Sequence, residues 1–86
     1  MEILNVIITE DNVVNLVESF CVVDEQLRDE VVEQAEKYFT DTIVQLVGSD
    51  NHAIDDIEEE SLENGYFEFD NITIQLAWSS CTNAQI

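Results

Sequence analysis

The chain has 86 residues, 45% of them apolar, and sets twenty acids against two bases for a formal net charge of −18. Its apolar content is that of one small folded domain rather than a disordered acidic tail, but one that folds against strong self-repulsion. The charge excludes direct binding to nucleic acid or to an anionic membrane, and no apolar run approaches the roughly 20 residues of a membrane span.

Residues 3–23, ILNVIITEDNVVNLVESFCVV, are rich in β-branched side chains and divide at Glu10-Asp11-Asn12. With those three as the loop, Asn12 takes the left-handed position of a three-residue hairpin. Leu4, Val6 and Ile8 then share a face with Val14, Leu16, Phe20 and Val22. Glu18 falls on that face too, where a bulge or a place near the sheet edge would give it water. Val13, Leu16, Val17 and Phe20 also fit a helical period over 10–20, but the content of valine favours a strand.

The stretch from Asp24 to Gly48 predicts a long amphipathic helix. Leu27, Val31, Val32, Ala35, Tyr38, Phe39, Thr42, Ile43 and Leu46 fill one arc of the helical wheel. Asp29, Glu30, Glu33, Glu36 and Asp41 fill the opposite arc, with Lys37 alone among them. Asp24 is placed to cap the start and Gly48 to end the helix in a left-handed conformation. After the break at Ser49-Asp50-Asn51, a short helix is expected from Ala53 to Asn64, with Ile54, Ile57 and Leu62 as its apolar stripe. Between Asp55 and Glu63 it carries six acids in nine residues. The pairs 55/59, 56/60 and 59/63 are like charges at i,i+4, each costing roughly 0.2–0.5 kcal/mol.

The segment GYFEFDNITIQLAWSS predicts a hairpin turned at Asp70-Asn71, pairing Phe69 with Ile72 and Phe67 with Ile74. Phe67, Phe69, Ile72, Ile74, Leu76 and Trp78 share one face and point to the core. Tyr66, Glu68, Thr73 and Gln75 share the other. The expected fold is therefore α+β, a four-stranded antiparallel sheet with two helices packed on one face, in the order ββααββ. A single compact domain is expected over 1–80, with a frayed tail over 81–86.

Few residues suggest chemistry. Cys21 and Cys81 lack metal or redox spacing and are expected as reduced thiols, Cys21 near the core. His52 lies in a polar turn and is expected as an exposed capping residue. The acidic run around it lacks the alternating ligands and central glycine of a calcium loop. No nucleophile–base pattern or phosphate-binding loop is present, so no catalytic residue, metal or cofactor is expected. The N-terminus has no basic region followed by an apolar run, which points to the cytoplasm.

The informative feature is the placement of charge. Residues 24–63 hold fourteen acids and both bases, a balance of −12. Carboxylates at i,i+4 on a helix rise about 6 Å apart, so Asp29, Glu33 and Glu36 on one helix and Asp55, Asp56, Glu59, Glu60 and Glu63 on the other present rows of charge. Duplex DNA carries about one negative charge per 1.7 Å of axis, and the proteins that grip it carry matching basic grooves. Tyr66, facing outward, is the candidate aromatic anchor beside those rows.

In its size, its charge of −18, its near absence of Lys and Arg and its acids concentrated on EQLRDEVVEQAEKYF and IDDIEEESLENG, the chain resembles a class of phage-encoded inhibitors. These are the small acidic proteins directed at host nucleic-acid-handling enzymes, including anti-CRISPR and anti-restriction proteins. The ordering VESFCVVDEQLRDEVVEQAEKYF … GYFEFDNITIQLAWSS is also similar to small phage or prophage proteins. The resemblance implies a DNA mimic that occupies the basic groove of a nucleic-acid-binding protein, in the cytoplasm of the host cell. The alternative expectation is an acidic interaction module for another basic protein, without nucleic-acid competition. Composition leaves a homo-oligomer open.

Overall fold

Two Asp-Asn dipeptides, residues 11–12 and 70–71, turn the chain between its two pairs of strands. Asp and Asn tolerate the left-handed backbone a tight hairpin requires, and Asp11, Asn12 and Asp70 adopt it, with φ of 54°, 66° and 55°. The computed structural model describes residues 1–80, so the tail expected over 81–86 lies outside the described residues. Strands β1 (Glu2–Glu10) and β2 (Val13–Val22) form the first hairpin, and β3 (Tyr66–Phe69) and β4 (Ile72–Ser80) the second. Between them lie α1 (Arg28–Val47) and α2 (Ile54–Asn64). All pairings are antiparallel and the sheet order is β2-β1-β4-β3, which makes β1 and β4 the central strands. The two turns meet at one end of the sheet. The Asp11 amide donates to the Asn71 carbonyl (3.0 Å), and Asn71 Nδ2 donates to Asp11 Oδ1 (2.8 Å).

The register explains the core. Leu4 pairs with Phe20 and Trp78, Val6 with Glu18 and Leu76, and Ile8 with Leu16 and Ile74, so these side chains share the sheet face that the helices cover. Val6 and Ile74 close on Phe39 and Ile43 of α1, and Ile54, Ile57 and Leu62 of α2 pack against the same cluster. Leu4, Val22 and Ala35 are also buried. The second hairpin has the expected pairs, Phe69 with Ile72 and Phe67 with Ile74.

The first hairpin departs from expectation in an instructive way. Its turn has two residues, Asp11 and Asn12, because Glu10 pairs with Val13. A bulge between Ile8 and Thr9 then lets Val14 oppose Thr9 and Leu16 oppose Ile8, leaving Asn15 as the extra residue. The bulge restores Leu16, Glu18, Phe20 and Val22 to the helix side and turns Val14 to the open face. Glu18 is exposed on the edge strand, as its position required.

The expected burial of four other residues fails at the margins of the sheet. Trp78 lies on the helix side but is 44% exposed, since the apolar stripe of α1 runs out above it. Phe69 sits at the far rim next to the turn and stacks on Phe67 with ring centroids 6.4 Å apart. Leu27 is exposed because residues 25–27 form a 3-10 turn rather than the first turn of the long helix. Cys21 alternates with buried Val22 and so projects from the open face, exposed. Asp24 does act as a cap, its carboxylate accepting from the Gln26 amide of that 3-10 turn.

Candidate interaction surface

Helix α1 packs by its Ala35–Phe39–Ile43 line, which leaves two flanks of different chemistry. At about 100° per residue, one flank carries Val31, Gln34, Tyr38, Thr42 and Gln45, none of them charged. It faces β2, where the rings of Tyr38 and Phe20 lie tilted with centroids 5.9 Å apart. The other flank and the outer ridge carry Asp29, Glu30, Glu33, Glu36, Lys37 and Asp41. Asp29 and Glu33 are exposed as expected, whereas Glu36 is half-buried, one step down the flank toward the sheet. Glu30 and Asp41, outside the expected rows, are exposed on the ridge.

Helix α2 lies on the same sheet face, in contact with α1 and with β3. The Asn51 side chain accepts from the Ala53 amide just before the helix, and Gly65 closes it in the left-handed conformation (φ 81°, ψ 10°) with its N–H on the Ser61 carbonyl. With Ile54, Ile57 and Leu62 turned to the core, Asp55, Asp56, Glu59, Glu60 and Glu63 are all exposed. Tyr66, 46% exposed, opens β3 directly after this helix. It helps line a shallow cleft of about 250 Å³ between α2 and β3, together with Ile57, Glu60, Ser61 and Phe67. The nine residues singled out from sequence therefore lie on the two helices and at the head of the adjoining strand.

Both basic side chains are engaged with acids of the same molecule. Arg28 Nε donates to Glu2 Oε1 (3.2 Å) and its Nη2 to Oε2 (3.4 Å), while the guanidinium lies 4.7 Å from the centroid of the Trp78 ring. The hydrogen bond and the charge of Glu2 both push the Arg28 pKa upward. Lys37 Nζ donates to Asp41 Oδ2 at 2.9 Å across one helical turn. Sequence reading placed Trp78 in the core because apolarity of a face does not reveal where its cover ends. Arg28, which the wheel puts near the buried line, was the available signal.

Among the described residues no group of three or more His, Cys, Asp and Glu side chains is arranged to hold a metal ion, and no helix is long and apolar enough to cross a membrane. The acids are spread along the helix surfaces. No family model, curated protein or solved structure matches the chain.

Proposed function

We propose that this protein is an inhibitor that imitates nucleic acid, laying the acidic surface of α1 and α2 into the basic groove of a DNA- or RNA-binding protein such as a host defence nuclease. The observation that carries the reading is the exposure of Asp29, Glu33, Asp55, Asp56, Glu59, Glu60 and Glu63 on two adjoining helices while Arg28 and Lys37 are tied to acids of the chain's own surface. Such a surface steers toward a basic groove from a distance and makes association fast and strongly salt-dependent. The protein then acts without catalysis, metal or cofactor, in the cytoplasm of the host cell if it is viral. It contacts neither nucleic acid nor membrane itself.

The cleft beside Tyr66 favours a second reading, an acidic module that docks on another basic protein. There an aromatic anchor supplies the binding energy and the acids set the orientation. Competition separates the two. A labelled duplex is bound to the candidate nucleic-acid-binding protein, then titrated with wild type and with a variant carrying Asp55→Asn, Asp56→Asn, Glu59→Gln, Glu60→Gln and Glu63→Gln. Mimicry predicts displacement by wild type and much weaker displacement by the variant, with the variant at least as stable because like-charge pairs are relieved. Equal displacement by both removes the α2 surface from the mechanism. Binding of wild type without displacement of the duplex selects the second reading.

A further inference from the structure

Between the exposed acids Glu10-Asp11 and Asp24-Glu25, one edge of the molecule is poor in charge. Strand β2 is an edge of the sheet and carries a single charge, Glu18, in its ten residues. The α1 flank above it is uncharged from Val31 to Gln45. Val13, Val14, Leu16, Val17, Val23 and Leu27, all exposed, lie on β2 or in the segment that leads from it to α1. An edge strand presents a row of backbone donors and acceptors unused by its own sheet, and an exposed apolar edge of this length is a template for another strand. The opposite edge, β3, is only four residues long.

We propose that the edge of β2, unpaired among the described residues, pairs with the same edge of a second copy, joining two four-stranded sheets antiparallel into one sheet of eight strands about a twofold axis. Three observations select a second copy as the occupant. Two chains of net charge −18 meet with less repulsion through a strand whose single acid is Glu18 than through their helices, and this pairing sends the acidic helix surfaces outward and apart. Antiparallel pairing of a strand with itself is self-complementary, as a twofold interface must be. The bulge at Asn15 lies near the turn, so Leu16–Val22 remains a regular edge, and a twofold axis at Ser19 sets Glu18 opposite Phe20 of the other copy rather than opposite its own equivalent. The paired stretch Leu16–Val22, about 23 Å long, and a molecular thickness of 17 Å give on the order of 390 Å² per protomer, or about 800 Å² in total, the size of a weak, concentration-dependent association.

Sedimentation equilibrium and amide hydrogen exchange on the intact chain test this. The expected result is a dimer that tightens with added salt, since screening reduces repulsion between copies. Amides of β2 directed away from β1 should gain protection as concentration rises. Val17→Glu, at a position 48% exposed, should weaken self-association about tenfold or more by placing a second acid in the pairing edge, and Leu16→Glu should do the same. Circular dichroism verifies that both variants fold, and Glu59→Gln on the acidic side should leave the dimer intact. A chain that stays monomeric at every concentration in moderate salt overturns the proposal, as does a dimer that is indifferent to both β2 variants. Docking on a basic groove weakens with salt whereas this dimer strengthens, so failure of one reading is distinguishable from failure of the other.

Discussion

Phe39 is the centre of the fold at residue scale. It is fully buried between Val6, Ile43 and Ile74, in the layer where both hairpins meet α1. Phe39→Ala should cost roughly 3–5 kcal/mol in denaturant unfolding, because a cavity there has sheet on one side and helix on the other and closes poorly. A cost below about 0.5 kcal/mol would mean that the helix buries a different line. Trp78 offers an optical check on the margin of the core. Arg28 covers its ring and is held in place by Glu2, so Arg28→Ala should expose the indole and shift its fluorescence to the red while the fold persists. These two residues also show what the amino-acid pattern conveys and what it omits. The helical period of α1 identifies Phe39 as core without further information, since apolar side chains on both sides of it in the helix agree. For Trp78 the strand alternation gives the correct face, but burial depends on how far the opposing helix reaches, and only the tertiary structure supplies that length.

At the scale of elements, the turns and caps carry the local rules most directly. Gly65 ends α2 with φ of 81°, and a Cβ placed there meets only the Leu76 carbonyl at an ordinary 3.6 Å. Gly65→Ala therefore has space, and its cost of about 1–2 kcal/mol should be purely the left-handed backbone, measurable as a lower unfolding midpoint with an unchanged slope. On the outer face of the same helix, Glu59 faces Asp55 and Glu63 at i,i+4. Glu59→Gln should raise stability by a few tenths of a kcal/mol. The second hairpin follows from its sequence down to individual pairs because two residues between two apolar faces admit one register. In the first hairpin, Glu10, Asp11 and Asn12 are all suited to a turn. Pairing Glu10 with Val13 gains two ladder residues, and the bulge at Asn15 then returns the apolar side chains to the core. Parity of a strand is thus readable from its side chains, whereas a bulge that shifts pairing by one and preserves that parity leaves little trace in them.

For the molecule as a whole, charge sets the response to conditions. Fourteen acids within residues 24–63, most of them on the helices, repel one another across α1 and α2, and this repulsion is absent from the expanded chain. The melting temperature should therefore rise between low and moderate salt as screening sets in. A flat response would mean that the folded surface spaces its carboxylates as widely as the unfolded chain does. The candidate rows on α2 were evident from sequence because six of nine consecutive residues there are acidic, whatever the fold. The neutral side was not. It exists only because α1 crosses the sheet with Tyr38 toward β2, which aligns an uncharged helix flank with a strand whose single charge is Glu18.

The pairing of Glu2 with Ser80 places the beginning of β1 beside the end of β4, in the middle of the sheet rather than at its rim. The seam between the two central strands is consequently the most distant contact in the chain, and folding must close a loop of nearly the whole domain before that seam forms. Circular permutation would reverse this. Joining the ends through a short flexible linker and reopening the chain at the exposed segment Ser49-Asp50-Asn51 turns the β1–β4 seam into a local hairpin. Contact order falls, and folding rates of small domains rise as it does. The permuted protein should regain the same sheet and refold faster than wild type in a stopped-flow experiment. An equal or slower rate would show that closure of the central seam does not limit folding.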